Sequence, residues 1–337
     1  MNQTALDLDT LPADHGDRTG FELGWDHAHH GLVPAPELLL QGTPVSQGWL
    51  AGKAVFGRRT LVSTRFTRQW LLLRTDAWLR GIPFNREHIT PQTLAQIEPA
   101  CCPITRQRLG GAEHALTVEL LQPSLGYVAG NLVVMGAAAA AARAGCGFGQ
   151  AIAHVRAGVE LQGLDSAAWW RMAALLSLAT PLSHLDAARL PLRVLPPNGV
   201  RAVNPAQRLQ ILLTMQLGSP GWSGRVRTFA ALLADAGLRH DFNLFIGALA
   251  PRLLEASADA DALALRHTLE DAWADARVNR RWQHFIVQIS VAETETLLVR
   301  ATSMWMPSPS RSRKLSQRAT AGSPPKKSSQ TMGASVV

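Results

Sequence analysis

Two clusters of side chains and one set of cysteines in this 337-residue chain have types and spacing that could do chemistry. The densest ligand set is Asp26-His27-Ala28-His29-His30. On a helix Asp26 and His30 would share a face at i, i+4, a spacing that metal sites use. No Glu follows in a His-Glu-x-x-His arrangement, Gly31 closes the segment, and Phe21, Leu23 and Trp25 precede it, which is the pattern of a polar boundary on a packed element. The second cluster is basic: Arg58, Arg59, Arg65, Arg68 and Arg74, continued by Arg80 and Arg86, with Trp70 and Trp78 interleaved. Guanidinium groups neutralise phosphates, and exposed indoles can stack on bases, so this region is the candidate nucleic-acid-binding surface. Its plain alternative is a solvated arginine face, with Trp70 on the apolar stripe of a helix. Cys101, Cys102 and Cys146 invite zinc, but a structural zinc site needs four ligands, usually from two Cys-x₂-Cys knuckles, so buried thiols are expected instead.

The elements that must position these residues are read from periodicity and end signals. Phe66, Trp70, Leu73 and Ala77 recur at helical spacing, capped by Ser63 or Thr64 and stopped by Gly81. Thr90-Pro91 opens a short helix through Ile97. Residues 116–121 alternate as a strand, Pro123 to Gly126 turns, residues 131–135 read as a second strand, and the alanine run from Ala137 to Arg143 is a helix by propensity. Beyond Gly149 the chain is helical again. Helices are expected over 167–179 (preceded by Asp165-Ser166), from Asn204-Pro205 to Leu217, and over 226–236, 243–256, 259–276 (capped by Asp259) and 280–289. Residues 190–203, with three prolines and a glycine, read as a linker. The expected fold is α+β, mostly α-helical with one short ββα element. Its parts are a mobile leader (1–20), an Arg-rich helical part (21–99), the ββα module (100–150), a helical C-terminal domain (151–306) and a disordered basic tail (307–337).

Apolar residues make up 47% of the chain, enough to fill cores, and no long uncharged apolar run suggests a membrane span. The first twenty residues carry four aspartates and no apolar run, unlike a signal peptide. With three cysteines, a reducing cytoplasm is the expected compartment. The net charge of +8 is unevenly placed. Six positive charges and no acidic residue lie after Met306, so the rest of the chain is nearly balanced. Three of the chain's lysines, Lys314, Lys326 and Lys327, lie in that tail, and only Lys53 precedes it. The tail reads either as a basic arm or as an out-of-frame extension.

Within residues 101–143 the sequence Cys102-Pro103-Ile104-Thr105, the strand Thr117-Val118-Glu119, and Gly126-Tyr127-Val128-Ala129-Gly130-Asn131-Leu132 stand in the order and spacing of one motif. This segment resembles the HNH endonuclease family. The resemblance implies a ββα module in which a strand carboxylate and a helical residue hold a divalent metal such as Mg²⁺. Beside the carboxylate a His acts as general base, and a central Asn orients that base and ties the hairpin. Carried over, the carboxylate is Glu119 and the central Asn is Asn131. The general-base position is Leu120 and the helical ligand falls at about Ala140, neither of which can perform the role. The resemblance therefore implies a degenerate HNH-like protein whose leading role is contact with DNA or RNA, without a bound cofactor. One alternative is a protein–protein adaptor or structural protein that uses the hairpin as scaffold. Another is an active divalent-metal nuclease with a relocated base such as His114.

Overall fold

The computed structural model describes residues 11–110, 116–254 and 261–305. Among these the fold is α+β and mostly helical. Helices α1 (Leu11–His29), α2 (Pro44–Phe56), α3 (Arg65–Leu79) and α4 (Pro91–Ile97) precede the strands β1 (Leu116–Leu120) and β2 (Leu132–Gly136). Then come α5 (Ala137–Arg143), α6 (Phe148–Ala157), α7 (Ser166–Ala179), α8 (His184–Arg189), α9 (Pro205–Leu217) and α10 (Trp222–Leu232). The chain continues through α11 (Ala236–Leu254), α12 (Ala262–Ala272), α13 (Ala276–Ile286) and α14 (Val291–Trp305). No helix among the described residues is long and apolar enough to cross a membrane.

The helix-start signals act through hydrogen bonds. Thr64 Oγ1 accepts from Thr67 N at 3.1 Å, Thr90 Oγ1 from Thr93 N at 3.1 Å, and Asp165 Oδ1 from Ala168 N at 2.6 Å. Each satisfies an N-terminal amide that has no partner within its helix. Other boundaries differ from expectation. The α1 helix starts at Leu11, inside the supposed leader, whose residues 1–10 lie outside the described residues, as does the tail 307–337. The cap of α12 is Asp261, whose carboxylate accepts from Ala264 N at 2.7 Å; Asp259 lies outside the described residues. Helix α11 begins at Ala236 and contains Pro251, and α14 was not anticipated.

Helices α1 and α2 meet backbone to backbone. Gly20, Gly24 and Ala28 recur every fourth residue on one, Gly48 and Gly52 on the other. A Cβ on Gly24 would stand 2.0 Å from the Val45 carbonyl oxygen, and one on Gly48 would stand 1.9 Å from that of Phe21. Only glycine permits this approach.

The core has two parts, and the β1–β2 hairpin is their common wall. The strands are antiparallel with Val118 opposite Val134 and Leu120 opposite Leu132. Successive side chains point to opposite faces. Val118, Leu120, Leu132 and Val134 therefore join Leu23, Val45, Trp70, Leu71 and Ile89, while Leu121, Val133 and Met135 join the helices from α5 onward. The larger C-terminal core is anchored by fully buried Trp169, Trp273, Trp282, Phe242 and Phe285. The expected linker 190–203 is part of this fold. Leu192, Val194 and Leu195 are buried, Leu132 N donates to Gly199 O at 3.2 Å, and Arg201 N donates to Gly130 O at 2.9 Å. Its prolines mark an extended path laid against the hairpin rather than a flexible joint.

Two outcomes follow from this packing. Gly24→Ala and Gly48→Ala each lower the urea midpoint by an amount corresponding to about 1–3 kcal/mol or more. Gly16→Ala, which meets nothing within 4 Å, is neutral or stabilising by up to about 1 kcal/mol. Equal effects at the three positions contradict the close crossing. The second outcome concerns pH. His27 is buried, with Nδ1 2.8 Å from Leu23 O, and burial lowers its pKa. Below the unfolded value of 6.5 the unfolded chain takes up a proton that the folded chain refuses, so stability falls as pH drops from 7 to 5. Denaturant titrations across that range should show a shallower fall in His27→Gln; an unchanged slope contradicts the assignment.

Candidate functional site

The turn between the strands is built by four residues of the motif. Gly126 has φ +69°, and a Cβ there would lie 2.3 Å from Pro83 O; Gly130 has φ +92°, and a Cβ would lie 2.9 Å from Arg201 Cβ. Both combine a left-handed backbone with a close approach from another part of the chain. Tyr127 N donates to Pro83 O at 2.8 Å and Asn85 N donates to Tyr127 O at 2.9 Å. The Tyr127 hydroxyl donates to Asp76 Oδ2 at 3.2 Å. Burial, reinforced by the Asp76 charge, pushes that phenol up to about 12. Asn131 is almost completely buried. Its Nδ2 donates to Gln122 O at 2.9 Å and Gly126 O at 2.8 Å, and its Oδ1 accepts from Gln122 N at 2.9 Å. The carboxamide is fully spent on the turn.

The remaining motif positions do not converge. Glu119 faces Arg143 on α5, Nη1 lying 3.6 Å from Oε2. Burial raises the Glu119 pKa, the charges of Arg143 and Arg80 oppose it, and Asp76 adds to it. Arg143 also donates to the carbonyls of Leu120 and Leu121, the second at 3.0 Å. Leu120 points into the N-terminal core and Ala140 into the C-terminal one. These two positions thus lie in separate apolar cores. A divalent ion does not fit here: the one motif carboxylate already has a guanidinium beside it, and the side chains of Leu120 and Ala140 offer only hydrocarbon. Among the described residues no group of three or more His, Cys, Asp or Glu is placed to hold a metal. His114 lies outside the described residues.

The other sequence candidates are used structurally. Asp26 pairs with Arg74 and with Arg86, the latter at 3.3 Å. His29 stacks on Phe56 with centroids 4.3 Å apart, and His30 stands edge-on to Trp70, so the Asp-His cluster diverges. Cys101, Cys102 and Cys146 are free buried thiols. Cys102 Sγ accepts from Thr105 N at 3.5 Å, and burial raises the Cys146 pKa.

Of the candidate arginines, Arg58, Arg59, Arg65 and Arg68 are exposed. Arg65 pairs with Glu98 at 2.7 Å; Arg58, Arg59 and Arg68 have no acidic partner among the described residues. Arg74 must be removed from the surface, since it is 3% exposed, paired to Asp26 and stacked over Trp70 with its guanidinium carbon 4.6 Å from the ring centre. Trp70 is core, and Trp78 Nε1 donates to Gly16 O at 2.9 Å. Lys53, which sequence reasoning passed over, joins the exposed set above the Trp49 ring. The signal that would have found it is charge silence: residues 38–75 contain no Asp or Glu.

Comparison of the chain with protein-family models, curated proteins and solved structures gave no match.

Rebuilding the motif should therefore fail. The double substitution Leu120→His, Ala140→Asn places polar groups in two apolar cores, at about 1–3 kcal/mol for each one left unpaired. The expected result is a lower denaturation midpoint and no plasmid nicking with Mg²⁺ or Mn²⁺. A folded variant that nicks DNA would show that the two positions do share a site.

Proposed function

We propose that this protein contacts nucleic acid without hydrolysing it, through the basic surface formed by Lys53, Arg58, Arg59, Arg65 and Arg68. The supporting observation is an excess of positive charge: all five side chains are exposed, Arg65 alone of them is paired to a carboxylate, that of Glu98, and no acidic residue occurs between 38 and 75. Such a surface attracts phosphates irrespective of base sequence. The ββα element serves as scaffold, because Asn131 is committed to the turn and Glu119 to Arg143. A second reading, a protein partner, is favoured by Leu61 and Val62, which stand exposed between the arginines.

Oligonucleotide binding as a function of salt separates the two. Affinity of the full chain for DNA or RNA should fall steeply between about 50 and 200 mM salt. Neutralising Arg58, Arg59 and Arg68 together to Gln should reduce the slope of log K against log salt by about 0.9 for each duplex phosphate that is no longer neutralised. An unchanged slope, or no binding at low salt, contradicts the proposal; the latter leaves the protein-partner reading.

A further inference from the structure

A second concentration of positive charge lies where the turn after Cys102, helix α7, the extended segment before α9 and helix α12 meet. Arg106, Arg171, Arg193 and Arg266 gather there about two carboxylates, Glu270 and Asp271. The carboxylates are already taken. Arg106 donates to Asp271 at 2.7 and 2.8 Å and to Glu270 at 3.2 Å; Glu270 also accepts from Arg266 at 3.2 Å and from Leu195 N at 2.9 Å.

Arg171 and Arg193 are left over. Arg171 is 8% exposed, and its Nε donates to Ile104 O at 2.5 Å. Arg193 is half-buried, and its Nε meets no acceptor. Neither has a carboxylate within pairing distance among the described residues. Asp165, whose charge also reaches Arg171, is spent on capping α7. Burial lowers both guanidinium pKa values and the Arg106 charge adds to this, while the charge of Asp271 opposes it at both and that of Glu270 at Arg193. Burial also lowers the pKa of His267 beside them, so it adds no charge at neutral pH. Arg106 itself sits at φ +61°, a conformation that L-residues rarely adopt, held by its N–H to Cys102 O at 2.8 Å. A buried guanidinium that no carboxylate pairs carries a desolvation cost that a bound anion offsets.

We infer that Arg171 and Arg193, backed by Arg106, form an oxyanion site that takes a phosphate group. Guanidinium forks match phosphate oxygens in geometry and charge. The site is separate from the proposed nucleic-acid surface and does not depend on it. Its phosphate could be free or part of a nucleic-acid backbone, and both arms can be measured.

The test uses the full chain in phosphate-free buffer, with inorganic phosphate added against chloride at matched ionic strength. The wild-type Tm should rise saturably with phosphate. In Arg193→Gln phosphate affinity by calorimetry should fall at least about tenfold. General stabilisation by excluded phosphate would persist in the variant. Should Arg193→Gln not fold, Arg193→Lys, which keeps charge but loses the fork, should weaken phosphate binding several-fold. Competition between phosphate and an oligonucleotide for the wild-type protein identifies backbone phosphate as the source; its absence identifies free phosphate. Equal phosphate responses in wild type and the Arg193 variants, or no saturable response, overturn the inference.

Discussion

The Asn131 carboxamide is the interaction on which the rest of the structure turns. A side-chain amide with no water to satisfy it must find its partners within the protein, and it finds three in the turn it closes: Gln122 N, Gln122 O and Gly126 O. That closure holds Gly126 and Gly130 in left-handed conformations and presents their bare Cα atoms outward. Residues 83–85 dock against one glycine and residues 199–201 against the other. The two halves of the chain, far apart in sequence, are thus hydrogen-bonded to the same ten-residue turn, and each lays its core on one face of the hairpin.

Packing alone accounts for the residues of the hairpin. Gly126, Tyr127, Gly130 and Asn131 each have a packing reason to be what they are. Leu120 and Ala140 have one too, since each fills a core on its own side of the sheet. Once both faces of a two-stranded sheet are buried, a histidine or an extra metal ligand would be a buried polar group with nothing to satisfy it. The hairpin's structural task and catalysis compete for the same positions.

Much of this was legible in sequence. Thr64, Thr90 and Asp165 announced helix starts because a cap is a local interaction, written within four residues. The strands and α5 followed from alternation and alanine content. What was not legible depends on distant partners. The Gly20/Gly24 and Gly48/Gly52 spacings carry no meaning until two helices are known to cross there. The prolines of 190–203 suggested a linker because proline forbids helix, but an extended chain can be a docked strand-like segment when acceptors such as Gly130 O await it. Arg74 looked like its exposed neighbours until Asp26, on another helix, was placed beside it. The basic surface was half visible: the arginines were counted, but the missing acids between 38 and 75 were the stronger signal.

One buried carboxamide couples both halves of the protein. Native-state hydrogen exchange of wild type against Asn131→Ala tests it most directly. The amides to follow are Asn85 N and Tyr127 N on the N-terminal side and Leu132 N and Arg201 N on the C-terminal side. All four should lose protection together, by a common amount of about 1–3 kcal/mol or more. Loss confined to the turn, with Asn85 and Arg201 as protected as before, would contradict it.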